Sequence, residues 1–343
     1  MTKLITIIGH FGKGQVLLNG QTIKTKNLYE TLIARYSNNN IGTVDTHKRL
    51  LFLCFSPFIL LNVLHKSKNI IVLPAHNGVR TTIPLLVFLN KFFKRKIHYD
   101  VIGGWLPSLL EQNIRLLKTL SKLDYIYVET DTMLKRLNKL GLNNVQVLPN
   151  SKNISVCNID YSNSYPRRLC MFSRINRLKG IEDAINAVNE INKRSGSKIC
   201  TLDIYGKVDK GEEEWFEGLK DKMDASIKYC GFVDGNPTSV LKDYYLLLFP
   251  THYYTEGIPG TIIDSYSAGV PVLASKWESF SDVIVENVTG FGFEFDNYND
   301  FLEKLSDLCH NPSKVNGLRE ECQKKAMYYS NENMADILAK NIV

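Results

Sequence analysis

Short apolar runs alternate with helix-length amphipathic stretches along the chain, twice over, and this alternation constrains the fold more than any other feature. In the first half, LITIIGH (4–10), NIIVLPA (69–75), KIHYDVIG (96–103), YIYVET (125–130) and VQVLP (145–149) read as strands. Gln21 to Tyr36 has Ile23, Leu28, Leu32 and Ile33 spaced to share one helix face. Thr132 to Leu140 reads as a second helix, and Gly141 sits where a helix C-cap belongs. Strands that are apolar almost throughout suit a parallel sheet covered on both faces. NSKNISVCNIDYSNSYP (150–166) is rich in Asn and Ser and reads as a seam. The alternation then begins afresh. RLCMFS, TLDIYG (201–206), IKYCGFV (227–233), YYLLLFP (244–250) and PVLAS are strand-like, with helices at Gly180–Glu190 and Thr261–Ala268. Two doubly wound α/β units in tandem follow, as the length of 343 residues also favours. In such sheets ligands bind beyond the carboxyl ends of strands, so the loops that follow strands are the ones to read.

Charge is divided between the halves. Residues 1–150 hold 20 Lys and Arg against 7 Asp and Glu, a net +13, whereas residues 151–343 hold 22 against 28, a net −6. The first half is therefore expected to face an anionic partner, a nucleic acid or an anionic membrane. The seven cysteines are scattered without C-x-x-C spacing, which disfavours a disulfide framework or a zinc site and fits a reducing cytosol. The N-terminus reads as a first strand rather than a signal peptide. LLFLCFSPFILLNVL (50–64) is uncharged but shorter than the ~20 residues of a spanning helix, and Pro57 and Asn62 interrupt it. It reads as a core element or an interfacial segment. In FLNKFFKRK (88–96), Phe92 and Phe93 interleave with Lys91, Lys94, Arg95 and Lys96, as in segments that lie on anionic lipid. A helix end with cations near its C-terminal dipole is the plainer alternative.

Three loops have the residue types for chemistry. GHFGKGQ (9–15) follows the first strand, and its glycines Gly12 and Gly14 let backbone N–H groups approach an anion. It is neither a dinucleotide fingerprint nor a P-loop, because Leu17 and Gly14 stand where those motifs need Gly and Ser or Thr. FSRINRLKG (172–180) brings Arg174 and Lys179 beside a helix start, where cations and free N–H donors together suit a diphosphate. These cations are otherwise solvated or pair with Glu182 and Asp183. In TEGIPGTIIDSYSAGVPVLAS (255–275), Glu256 and Asp264 are separated by seven residues and bracket the helix start at Gly260 and Thr261. Each acid is placed to accept hydrogen bonds from hydroxyls beside a diphosphate held on the N–H groups of Gly260 and Thr261. For Asp264 the simpler role is an acid stabilising the helix dipole.

The second half resembles GT-B fold glycosyltransferases of family 4, the group 1 glycosyltransferases. EGIPGTIIDSYSAGVPVLA matches their E-x7-E stretch, with Glu256 on the first acid and Asp264, shorter than the usual Glu, on the second. SRINRLKG matches their Arg and Lys clamp through Arg174 and Lys179, GHFGKG matches the glycine loop, and PNS (149–151) matches the turn at the domain seam. The first half, with GQTIKTK (20–26) and VIGGWLP (101–107), looks like that of bacterial capsule and exopolysaccharide transferases. Many relatives place a histidine after a middle strand of the first domain. Here Gly103 and Gly104 occupy that loop, which leaves His76 in PAHNG as an acceptor-side candidate with Gly104, a buried structural histidine being the alternative.

The resemblance implies two Rossmann-like doubly wound domains facing a central cleft. Residues 1–160 would bind the acceptor, 161–325 the nucleotide sugar, and a C-terminal helix in 326–343 would pack back toward the first domain. It implies a retaining glycosyltransferase using a nucleoside-diphosphate sugar, UDP-linked in preference to GDP-linked, and a lipid-linked saccharide acceptor in capsular, exopolysaccharide or other cell-surface glycan synthesis. Catalysis would fall to Glu256, Arg174 and Lys179, and donor binding to Asp264, Gly260, Thr261, Gly12 and Gly14. No D-x-D motif occurs, and the cations are expected to stand in for a metal. The expected location is the cytoplasm, peripheral at the inner face of the cell membrane, with no nucleic acid partner. Two alternatives remain open, a sugar-nucleotide 2-epimerase of the same fold and a nonenzymatic basic nucleic-acid binder.

Overall fold

The computed structural model describes residues 2–12, 20–159, 161 and 164–342. The chain divides into two compact units, Met1–Lys152 with Ser330–Val343, and Asn153–Tyr329. Each is built on a six-stranded sheet. In the first unit the strands are β1 (Lys3–Gly9), β2 (Ile41–Asp45), β3 (Ser67–Val72), β4 (Lys96–Asp100), β5 (Tyr125–Val128) and β6 (Val145–Val147). In the second they are β7 (Arg167–Phe172), β8 (Cys200–Tyr205), β9 (Ile227–Gly231), β10 (Leu246–Phe249), β11 (Val272–Ser275) and β12 (Gly290–Phe293). Every pairing is parallel. The expected strands are present. β2 and β12 are additions that sequence pattern did not supply, because IGTVD and GFGF are short and carry glycine.

The sheet orders place the ligand-binding crevices. The second sheet runs β12-β11-β10-β7-β8-β9. From β7 the chain builds outward to β9, then crosses back to β10 and builds the other way. The first sheet runs β2-β1-β3-β4-β5-β6, so its reversal lies between β1 and β3. At such a reversal the loops leaving two neighbouring strands part to opposite faces and open a crevice at their carboxyl ends.

In the first unit, Leu28 and Leu32 of helix Gly20–Tyr36 pack on one face of the sheet with Met334 and Leu338 of helix Asn331–Ala339. Phe52, Leu60 and Leu64 of helix Arg49–Lys66 pack on the other. The uncharged run 50–64 thus lies within one helix that is apolar on both faces. It has a buried face and an outward face on which Leu50, Leu51, Phe55 and Phe58 remain exposed. Among the described residues no helix is long and apolar enough to cross a membrane. The basic–aromatic run is only partly outward. Lys91, Phe92 and Lys94 are exposed, whereas Phe93 packs against the core and Arg95 donates from Nε to Leu64 O at 2.9 Å.

Beneath the carboxyl edge of β4 and β5 lies a buried charge cluster. Lys24 Nζ is 2.8 Å from Asp100 Oδ1 and 3.0 Å from Glu129 Oε1, and it donates to Val101 O at 2.7 Å. The Asp100 contact is an ion pair at an angle poor for hydrogen bonding, and Asp100 Oδ2 is buried without a partner. Burial opposes the Lys24 charge, but the two carboxylates outweigh it and hold its pKa above the ordinary value. Burial raises that of Asp100. One ammonium thus serves two buried carboxylates from three elements, so its removal strands both. Lys24→Met is expected to cost about 3–5 kcal/mol in urea unfolding. A change below about 1 kcal/mol would show that the carboxylates are already neutral.

Candidate active site

The second unit's reversal lies between β7 and β10, and the two loops with cationic and acidic residues leave those strands. After β7 the chain passes Arg174 and makes a tight turn at Arg177–Lys179. Gly180 follows with φ 70°, and a Cβ there would fall 1.9 Å from Pro250 O. Only glycine lets this turn lie against the end of β10 before helix Ile181–Ser195 begins. That approach carries Lys179 to Glu256, and the ammonium bonds to Glu256 Oε1. Both side chains are largely enclosed, 13% and 18% exposed. The Lys179 ammonium also sits 4.6 Å from the ring centre of Tyr253 and 5.7 Å from that of Phe249. The Thr251 hydroxyl is 3.4 Å from the same Glu256 oxygen.

Helix Gly260–Ser267 opens directly beyond this pair, capped by Pro259 with no side-chain hydrogen bond. Its first-turn Thr261 hydroxyl is buried and has no partner, and Asp264 is buried one turn further on. Unpaired buried hydroxyls are uncommon, and this one stands at a helix start, where free N–H groups can also meet an anion.

The alternative pairing of the cations with Glu182 and Asp183 does not occur. Glu182 bonds to Lys222 and Asp183 to His252, not to Arg174, Arg177 or Lys179. Arg174 instead reaches Asp209 Oδ2 at 3.0 Å, where Asn176 also donates at 2.8 Å. Arg177 pairs with Glu212 at 3.3 Å. Arg174 is 54% exposed, so it is free to swing from Asp209 to an incoming anion at little cost. The structure therefore joins Lys179, Glu256 and the start of the helix at Gly260, with Arg174 one loop away.

His252 was not singled out from the sequence, although it stands in the first loop positions after β10. Its backbone N–H donates to Leu178 O at 2.8 Å. Its ring bridges Asp183 Oδ2 at 3.1 Å and Asp296 Oδ1 at 2.6 Å. The hydrogen bond to Asp183, joined by that to Asp296, raises its pKa to about 9 against the opposing effect of burial. A protonated imidazole thus ties the Glu256 loop to helix Ile181–Ser195.

On the first unit, Gly12 has φ 65°, and Gly103 has φ 76° just before the buried Gly104. Gly14 lies outside the described residues. His76 is exposed, which overturns its alternative as a buried structural histidine, and its ring meets Trp105 edge-on at 5.0 Å. It lines a crevice with His10 and His47. His47 follows the unrecognised β2, so the pattern gave no reason to group it with His10. Among the described residues no group of three or more His, Cys, Asp or Glu side chains is placed to hold a metal ion.

Residues 161–327 match the family described as glycosyl transferases group 1. Three solved structures are similar over nearly their whole length. HepE from Anabaena, crystallised with UDP, has a TM-score of 0.78 at 15% identity, covering 99% of each chain. Sucrose-phosphate synthase from Thermosynechococcus elongatus has 0.75 at 14% identity, covering 98% of this chain and 97% of its own. A glycosyltransferase from Rickettsia africae has 0.71 at 13% identity, covering 99% and 98%. The fold is GT-B. A comparison with curated proteins finds none that matches in sequence. Within the GT-B fold, the matched segment is the unit that holds Arg174, Lys179, Glu256 and Asp264.

The sign of the His252 effect on stability follows from its raised pKa. Its contribution is complete below the unfolded value near 6.5 and is lost as pH rises through about 9. His252→Gln is expected to lower the thermal midpoint by about 2 °C at pH 6.5 and to leave it unchanged at pH 10. Parallel wild-type and variant melting curves across that range would remove the bridge from the account.

Proposed function

We propose that this protein is a retaining glycosyltransferase that moves a sugar from a UDP-sugar to a lipid-linked saccharide in cell-surface glycan synthesis. The observation that carries this reading is the meeting of Lys179 and Glu256 beside the helix start at Gly260, with an unsatisfied Thr261 hydroxyl, at the β7–β10 reversal. A diphosphate is the ligand that answers a helix N-terminus and two nearby cations. The match of residues 161–327 to glycosyl transferases group 1 supports the sugar donor. HepE, of the same fold, crystallises with UDP and with UDP-glucose, which supports uracil as the base.

In this reading the diphosphate draws Lys179 from Glu256 and recruits Arg174 from Asp209. Glu256, released, accepts hydrogen bonds from the sugar hydroxyls, and Asp264 accepts from the ribose. The amides of Gly260 and Thr261 take the phosphate oxygens. The acceptor hydroxyl oxygen bonds to the anomeric carbon while the bond from that carbon to the diphosphate oxygen breaks. The electron pair leaves with UDP, and the acceptor proton passes to a phosphate oxygen on the same face, which retains configuration. Lys179 and Arg174 act by neutralising charge that grows on the leaving group, so their effect is larger in the transition state than in the bound donor. No metal is required in this scheme. Acceptor binding belongs to the first unit, at His76; Gly104 is buried and is not available to it. Lys91, Lys94 and Phe92 dock that unit on the inner, anionic face of the cell membrane, each cation being worth about 1 kcal/mol there.

UDP at 100 times its dissociation constant should stabilise the protein by about 2.7 kcal/mol in a thermal-shift assay, with or without EDTA. Lys179→Ala should weaken UDP binding by ten- to a hundredfold, as loss of a charged hydrogen bond of about 1.5–3 kcal/mol requires. The absence of any shift with UDP, GDP or ADP would remove the donor site. Sedimentation with anionic liposomes should be strong at low salt and abolished at 0.5 M salt, on the order of a 4 Å Debye length. Binding that ignores lipid charge would sink the membrane assignment.

A further inference from the structure

The reversal of the first sheet opens a crevice that the donor site does not use. It lies beyond β1 and β3, has a volume of about 360 Å³, and is lined by His10, Gln21, His47, His76 and Asn77 above Phe52 and Val72. That is the size of a small-ligand pocket, and amides and imidazoles are the groups that meet hydroxyl and phosphate oxygens. The imidazoles are already organised. His10 Nδ1 is 2.8 Å from Thr22 Oγ1, and His10 Nε2 is 3.1 Å from His47 Nδ1. Asp45 Oδ1 accepts from the backbone N–H of both Phe11 and His47 at 2.9 Å and fixes the loop that carries the ring. These contacts occupy His47 Nδ1 and leave its Nε2 edge for a ligand.

A second groove, of about 550 Å³, runs on from the first along helix Arg49–Lys66. Phe52 lines both, and the second groove is lined by Lys48 and Asp45 together with Leu51, Phe55 and Phe58. Leu51, Phe55 and Phe58 recur at helix spacing and are 54%, 55% and 73% exposed. A row of large apolar side chains left in water is a surface awaiting an apolar partner. A polar crevice thus adjoins, at Phe52, a groove that combines the cation of Lys48, the carboxylate of Asp45 and an apolar row. This arrangement matches one molecule with a sugar or phosphate head and a hydrocarbon tail, and the net +13 of residues 1–150 favours an anionic head.

We propose that this crevice and groove form one site for a phosphorylated amphiphile. Its polar head sits among His47, His76 and Gln21, its phosphate lies at His47 and Lys48, and its hydrocarbon lies along Leu51, Phe55 and Phe58. The proposal rests on the glycosyltransferase reading and states how the acceptor of that reaction is held.

Calorimetric titration of the full chain with UDP saturating tests it, since the diphosphate site of the second unit is then filled. Farnesyl diphosphate should bind at least tenfold more tightly than inorganic diphosphate. The double variant Phe55→Ser with Phe58→Ser should abolish that difference, and His47→Ala should weaken both probes about tenfold. Thermal stabilisation by UDP should be the same in every variant, which reports that each is folded. Equal binding of the two probes to the wild type, or no binding while UDP still stabilises, overturns the proposal. So does a dimer in light scattering that the double variant dissociates, because a second copy would then cover the groove. The readings fail separately: loss of UDP stabilisation strikes the donor site, and loss of discrimination between the probes strikes this one.

Discussion

Parallel pairing imposes the constraint on which the rest of this structure depends. Strands that all point one way must be joined by crossovers, and the crossovers need helices that cover both faces of the sheet. The carboxyl ends of each sheet then lie along one edge, and Arg174, Lys179, Glu256 and His76 stand in loops that leave such an edge or at the head of the helix that follows, whereas Lys91, Phe92 and Lys94 precede β4. The chemistry is thereby separated from the core. Residues such as Ile5, Ile7, Leu246 and Leu248 fix where the loops begin, and the loops are left to vary.

Charge is managed differently in the two units. At the edge of the second sheet, Lys179 and Glu256 neutralise each other, so neither stands as an unpaired charge in a partly enclosed place. The pair is exchangeable, because each member is of a kind that a nucleotide sugar can satisfy, the ammonium by phosphate and the carboxylate by hydroxyls. The cluster of Lys24, Asp100 and Glu129 is buried instead and has no such exchange open to it. It holds the end of β4, and hence the loop with Gly103 and Gly104, against helix Gly20–Tyr36.

Much of this was legible in the sequence, for physical reasons. Long apolar strands and amphipathic helices announce themselves by period, so ten of the twelve described strands and the helices at Gly20–Tyr36, Asp131–Lys139, Ile181–Ser195 and Gly260–Ser267 were readable, whereas Arg49–Lys66 and Tyr298–His310 were not. β2 and β12 were not, because four or five residues with glycine among them carry little pattern. The placing of Glu256, Asp264, Arg174 and Lys179 about helix starts was legible from their spacing. Their actual partners were not found, because Asp209 and Glu256 meet Arg174 and Lys179 across 35 and 77 residues of chain. The roles of His10, His47 and His252 were hidden for the same reason. A histidine gains meaning from what the fold sets beside it, and here those neighbours, such as Thr22 and Asp183, come from helices and loops distant in sequence. The run 50–64 was ambiguous because its two faces are both apolar, and only packing distinguishes the one that meets the sheet.

The path of the chain between the units has a consequence for synthesis. The first unit is interrupted at Lys152 and resumes only at Ser330, so the whole second unit is an insertion within it. The late segment is not an ornament. Met334 and Leu338 complete the core against Leu28 and Leu32, and Asn341 donates to Gln146 Oε1 at 2.7 Å and to Tyr127 at 3.1 Å. A ribosome working from the N-terminus therefore releases every residue of the second unit before the first has its last helix. Although it begins first, the basic unit with its exposed leucines and phenylalanines is the last to close, and its open sheet face must be kept from aggregation for the length of that delay.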